Sequence, residues 1–241
     1  MKLIFIRHGD PNYEIDSLTH KGWKEAELLA QRIKTWPKAE YFVSPLGRAQ
    51  DTARVCLEKL NITPVLLPWL KEFHHPVYHP EQNIMHGPWD FYPSYWTKEK
   101  NYYDPELWYT THIMKEADIE GKTKAVQTSF DEFLEKYGYK REKGYYTTKH
   151  KIMDEDKDRI LVFFCHFGIT AILMAHMMNI SPLVVLQNFF MPPSSLTILC
   201  SEERSPGEAA FRTQVMGDTS HLLLGKEEVS SAGFFTSVFS R

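Results

Sequence analysis

Apolar residues in this chain gather in short continuous runs, and between them lie longer stretches with a helical period. Residues 3–6 form the first run, rich in isoleucine and phenylalanine, as expected of a strand buried on both faces. It stops at Arg7-His8-Gly9-Asp10-Pro11, where glycine and proline mark a loop. Residues 19–34 place Ala26, Leu29, Ala30 and Ile33 on one helical stripe, with Thr19 as the cap and Pro37 beyond the end. Residues 41–43 predict a second strand, 44–59 a helix opened by Ser44-Pro45, and 65–67 a third strand. This β-α-β-α-β order predicts a mainly parallel sheet with helices on both faces.

The pattern breaks after Glu72. Residues 74–101 are rich in His, Pro, Trp and Tyr and carry no period. A stretch of that length without regular structure usually serves function, and an insertion over the site is the expectation. A helix is predicted over 122–137, and exposed strand and loop over the polar residues 140–157. The sheet resumes at 160–164, followed by Cys165-His166-Phe167-Gly168 and a helix over 169–178. Residues 196–200 and 211–215 predict the last strands, and 230–241 carry no readable role. The fold expected is a single domain over 1–241: α/β, three layers α/β/α, a mainly parallel central sheet, and an inserted cap over about 74–158.

Composition narrows the function classes. A hydrophobic fraction of 43% supports a real core. The 28 basic and 31 acidic residues give a net charge of -3, against a dedicated nucleic-acid binder. The N-terminal apolar run is too short for a signal peptide, and no stretch approaches the ~18 apolar residues of a membrane span. Cys56, Cys165 and Cys200 fit neither a disulfide framework nor a zinc motif, so a reduced, cytoplasmic setting is expected. The oligomeric state has no signature here.

The candidate chemistry lies at the ends of the predicted strands: Arg7-His8-Gly9, Arg48, Glu72 and His166. Strand ends of one sheet lie close in space and are where open α/β sheets bind ligands. A neutral imidazole is a competent nucleophile near pH 7. Phosphoryl transfer spreads negative charge over three oxygens, which arginine forks and a second histidine can hold. A carboxylic acid can protonate the leaving oxygen and then act as base toward water.

These residues resemble the histidine phosphatase superfamily, which includes phosphoglycerate mutases. Arg7-His8-Gly9 resembles its RHG signature, and Leu18-Thr19-His20-Lys21-Gly22 its LTxxG helix start. Ser44-Pro45-Leu46-Gly47-Arg48-Ala49-Gln50-Asp51-Thr52-Ala53 is similar to SPLxRAxxTA, Leu70-Lys71-Glu72 to LxE, and Cys165-His166-Phe167-Gly168 to the late HxG element. The match covers about 1–73 and 159–200, in order. The resemblance implies phosphorylation and hydrolysis at His8, with Arg7, Arg48 and His166 on the phosphoryl oxygens. It also implies Glu72 as proton donor and no metal or organic cofactor.

Two positions depart from the family. Many members carry Asn seven residues after the signature arginine, and here Glu14 stands there. Either Asn12 substitutes, or Glu14 faces the leaving group. The mutase-type RHYGxLxG segment is replaced by His74-His75-Pro76-Val77. The expected activity is therefore hydrolysis of a small phosphate ester. The alternatives are a phosphoglycerate mutase-type transferase and a silent phospho-ligand binder. Arg54 reads as a surface arginine, and Glu81 and Asp90 as substitute acids. His74, His75, His79 and His86 read as loop or substrate contacts rather than metal ligands. The aromatic band from Trp89 to Tyr109 reads chiefly as packing, with some rings free for an apolar substrate wall.

Overall fold

The computed structural model describes residues 1–148 and 158–233. The strands of the main sheet are β1 (Lys2–Arg7), β2 (Glu40–Val43), β3 (Val65–Leu66), β4 (Tyr139–Glu142), β5 (Tyr145–Thr148), β6 (Ile160–Cys165), β7 (Leu196–Ser205) and β8 (Glu208–Asp218). Their order across this eight-stranded sheet is β3-β2-β6-β1-β7-β8-β5-β4. The first four are mutually parallel. From β1 onward through β7, β8, β5 and β4 the pairing is antiparallel. The α/β architecture thus follows the sequence pattern. The parallel block is the half of a mixed sheet that carries the candidate site.

Alternation explains the layers. Leu3 and Phe5 of β1 pack on one face, with Phe42, Leu161 and Phe163. Ile4 and Ile6 pack on the other, with Tyr41, Val43, Val162 and Phe164. Both faces are apolar, so both need helices. On the second face lie α1 (His20–Ile33) and α2 (Gly47–Leu57). On the first lie α3 (Ile119–Glu135), α4 (Phe167–Met178) and α5 (Pro182–Asn188). Thr19 caps α1 as expected, its hydroxyl accepting from the Gly22 N–H at 3.1 Å.

The expected insertion divides by packing. Phe133 of α3 sits edge-on to Phe42 and Phe163, so this helix belongs to the body of the domain. β4 and β5 hydrogen-bond into the main sheet through β8. Residues 74–118 form a hairpin of Val77–His79 and Ile84–His86, then short helical turns, with Val77, Tyr102, Trp108 and Met114 fully buried in the core of this face. Residues 149–157 of the expected loop and 234–241 of the C-terminus lie outside the described residues. Cys56, Cys165 and Cys200 are buried free thiols. No helix among the described residues is long and apolar enough to cross a membrane.

Candidate active site

Strand register brings the two histidines together. β1 and β6 are parallel neighbours with Arg7 opposite Cys165, and the His8 N–H donates to the Cys165 carbonyl at 3.0 Å. The residues that follow each strand, His8 and His166, then lie side by side with ring centroids 5.1 Å apart. Arg48 enters from the first turn of α2, after β2, and Glu72 from the chain beyond β3. All these residues gather at the carboxyl ends of the four parallel strands.

The loop after β1 is shaped by two glycines in contact. A Cβ on Gly9 would lie 2.7 Å from the Gly22 carbonyl oxygen, and one on Gly22 would lie 2.2 Å from that of Asp10. No other residue permits this approach. The Gly9 N–H donates to Thr52 Oγ1 at 3.0 Å, tying the loop to α2. The Asp10 N–H donates to Glu25 Oε2 at 2.8 Å, tying it to α1.

His8 is 1% exposed. Its Nδ1 lies 2.8 Å from the Gly9 carbonyl oxygen. A carbonyl only accepts, so Nδ1 carries the proton and Nε2 keeps a free electron pair. Burial, then Arg7 and Arg48, hold the His8 pKa well below the ordinary histidine value. His8 is therefore neutral at pH 7.

His166 is fully buried, with Nε2 2.7 Å from Ser44 Oγ. The Ser44 oxygen already accepts from the Leu46 N–H at 3.3 Å. Nε2 is the one acceptor the Ser44 hydroxyl proton has among the described residues, so the hydroxyl donates there and Nδ1–H is left as a donor without a partner among them. Burial, then His8, Arg48 and Arg7, lower the His166 pKa well below its ordinary value.

The arginines are both buried and incompletely paired. Arg7 donates from Nη1 to the Met191 carbonyl at 2.7 Å and lies 5.4 Å from the Phe190 ring centre and 5.8 Å from that of Phe167. Arg48 pairs with Asp16 at 2.5 Å. The Nε of each arginine is buried without a partner among the described residues. Burial lowers the Arg7 pKa, opposed by Tyr13 and Glu72. Buried donors without acceptors are costly, and an anion would satisfy them.

Glu72 stands at the N-terminus of α4. Its Oε1 accepts from the Phe73 N–H at 2.7 Å and from the Ile169 N–H at 3.0 Å. The other oxygen, Oε2, makes no hydrogen bond among the described residues. Glu72 is also the carboxylate whose charge acts on Arg7. The substitute acid Glu81 accepts from the Tyr92 N–H at 2.8 Å through Oε1, and its Oε2 is buried without a partner among the described residues.

The expected substrate contacts Asn12 and Glu14 are not drawn into this cluster. Asn12 Oδ1 accepts from the Glu14 N–H at 3.2 Å in a local turn, and the Glu14 side chain is exposed. A polar side chain two residues from a backbone N–H closes such a turn readily. Asp16, absent from the sequence reading, instead meets Arg48. Tyr13, also absent, places its ring 5.4 Å from the Arg48 guanidinium. Arg54 is a surface residue paired with Asp51 at 2.9 Å, as its position on α2 predicts.

The insertion histidines do other work. His79 is fully buried, donates from Nε2 to the Gly87 carbonyl at 2.9 Å and stacks on Phe91 at 3.9 Å. Among the described residues, no group of three or more His, Cys, Asp or Glu is arranged to hold a metal ion. The segment from 230, unread in the sequence, reaches the site: the buried Ser230 hydroxyl donates to Asp10 Oδ1. No local signal marks that contact, because its partners are 220 residues apart.

Solved structures share this architecture. A mycobacterial glucosyl-3-phosphoglycerate phosphatase, solved with VO3, is 17% identical with a TM-score of 0.56, over 90% of this chain and 98% of that one. Phosphoserine phosphatase from Entamoeba histolytica, in complex with 3-phosphoglyceric acid, is 18% identical with a TM-score of 0.58, over 92% and 98%. The α-ribazole phosphatase from Shigella flexneri is 18% identical with a TM-score of 0.53, over 91% and 97%. No curated protein matches the chain in sequence. The likeness to these structures is one of fold. The model of the histidine phosphatase superfamily (branch 1) matches residues 3–212, nearly the whole chain, and the protein belongs to that superfamily.

Proposed function

We propose that the protein hydrolyses phosphomonoesters of small metabolites through a phosphohistidine at His8, in the cytoplasm and without a metal ion. One observation carries the reading: a neutral, buried His8, set among buried donors of Arg7, Arg48 and His166 that lack an acceptor among the described residues. That is the electrostatic complement of a phosphoryl group in transfer. The arginines supply the charge stabilisation that a cation would otherwise give. The phosphatases of similar fold, one of them in complex with 3-phosphoglyceric acid, point the same way.

The steps follow from the geometry. Nε2 of His8 attacks phosphorus while the ester P–O bond breaks. Arg7, Arg48 and the Nδ1–H of His166 hold the phosphoryl oxygens. Glu72, protonated, gives its proton to the leaving oxygen, and the alcohol departs. The Glu72 carboxylate then takes a proton from water, the resulting hydroxide attacks phosphorus, and the P–N bond breaks. Phosphate leaves, His8 is neutral again, and Glu72 is again protonated. Microscopic reversibility lets one carboxyl group serve both steps.

Rapid quench with a labelled phosphate ester tests this. Acid-labile, base-stable label should accumulate on the protein and vanish in His8→Ala. Near wild-type turnover of an aryl phosphate by His8→Ala would overturn the assignment. An isomerised ester in place of free phosphate would move the activity to a mutase.

A further inference from the structure

Around Glu72 the walls are aromatic. A Cβ on Gly168 would lie 2.7 Å from Glu72 Oε1 and 3.0 Å from Trp89 Cζ3, so the acid and the indole converge on the same point of backbone. Trp89 meets Phe167 edge-on at 6.0 Å, and Phe167 lies 6.0 Å from Phe190. Phe167 and Phe190 in turn flank Arg7. On its other flank Trp89 meets His74 at 5.4 Å. Trp89, Phe167 and Phe190 each bury most of their area, as aromatic side chains of this size usually do, and each keeps part of a ring open. A row of partly open rings thus runs from the candidate acid to a candidate phosphate-binding arginine.

The charges at the site are already committed. The cations that act on His8 and on His166 are Arg7 and Arg48, and no lysine is among them. Lys71 and Lys122 act instead on His75, which packs edge-on against the buried Phe73. A small phospho-carboxylate brings a second anionic group, which needs a cation or hydrogen-bond donors of its own where it is buried. On the leaving-group side the basic groups beside Trp89 are the imidazoles of His74, at 5.4 Å, and His86, at 6.2 Å, which are themselves flat rings.

We propose that the leaving group is an alcohol bearing a flat aromatic or heteroaromatic body, which lies against Trp89 while Glu72 protonates the ester oxygen. This rests on the hydrolase reading and adds the substrate class to it. Trp89 is the specificity-determining residue. It belongs to residues 74–118, whereas the phosphoryl-binding groups lie at or just after the ends of the parallel strands. Recognition of the phosphate and of the alcohol are in this way assigned to different parts of the fold.

The test uses esters of matched chemistry, so that only the body of the alcohol changes: 2-naphthylmethyl phosphate, cyclohexylmethyl phosphate, O-phosphoserine and 3-phosphoglycerate. We expect kcat/KM for the naphthylmethyl ester to exceed that for the cyclohexylmethyl ester by about tenfold, the range of ring stacking, and the carboxylate esters by more. Trp89→Leu should abolish the naphthyl-over-cyclohexyl preference, and Trp89→Phe should restore most of it. Equal kcat/KM across the series, a preference for 3-phosphoglycerate, or an unchanged ratio in Trp89→Leu overturns the aromatic assignment while leaving the hydrolase intact. If no ester releases phosphate and no phosphohistidine forms, the hydrolase reading falls, and the substrate class falls with it.

Discussion

The Ser44 hydroxyl lies 2.7 Å from Nε2 of His166 and sets which nitrogen of that ring carries the proton. Ser44 follows β2 and His166 follows β6, parallel neighbours whose paired residues include Phe164 and Val43. The bond therefore comes from strand register. Its chemical consequence is directional, because a ring with its proton on Nε2 would turn an electron pair, not a donor, toward a phosphoryl oxygen.

Ser44→Ala should lower kcat/KM by about tenfold or more, the scale of a hydrogen bond to a charged group. The loss should come with a change of tautomer. Nitrogen-15 NMR of histidine-labelled protein near pH 7.5 should give His166 as the Nδ1–H form in the wild type and as a mixture in the variant. A wild-type spectrum with the proton on Nε2 would remove the positioning role.

Gly168→Ala probes the acid without touching its carboxyl group. The added methyl group would need the space of Glu72 Oε1, 2.7 Å from the new Cβ, so the carboxylate must shift. Alanine is also the better helix former, so the helix itself is not weakened. A displacement of about 1 Å at a reacting group costs on the order of 100-fold. The expected loss is of that order with alkyl esters and much smaller with aryl phosphates, whose leaving groups need little protonation. Glu72→Gln should give the same dependence on leaving group. Equal losses on both ester classes would detach Glu72 from proton donation.

Glu25 makes stability pH-dependent. It is fully buried in α1 under the His8–Asp10 loop, and burial, opposed chiefly by the Asp10 N–H and Lys21, raises its pKa to about 7. An unfolded glutamate ionises near 4.3. As pH rises from there to about 7 the folded chain retains a proton that the unfolded chain has lost. The contribution of Glu25 is full at low pH and falls through this window by about 4 kcal/mol. Glu25→Gln removes that loss, and its oxygen can still accept from Asp10. Thermal unfolding should show the variant more stable than wild type at pH 8, by several degrees, with the gain gone near pH 4.5. A difference in Tm that does not vary with pH would contradict the linkage.

The legible part of the site is the part held by strand ends. Arg7-His8-Gly9, Ser44 to Ala53 and His166-Phe167-Gly168 each follow a short apolar run, and short apolar runs announce themselves as buried strands. Once β1, β2 and β6 are parallel neighbours, their following residues must meet. Glu25 was not legible, because a glutamate in an amphipathic helix reads as solvated until the loop above it is placed. The extent of the insertion was not legible either. The helix that becomes α3 reads alike as cap or as body, and only Phe133 against Phe42 and Phe163 decides it.

By itself the sequence determined the fold class, the nucleophile candidate and the candidate phosphate-binding residues around it, because period and strand-end motifs are local properties of a chain. Only the tertiary structure decided the tautomers of His8 and His166, the local turn that occupies Asn12, the exposure of Glu14, the Ser230–Asp10 bond and the place of Trp89 beside Glu72. Each of these depends on burial or on a hydrogen-bond partner. Those are set by what lies nearby in space, and no local spacing of residues encodes them.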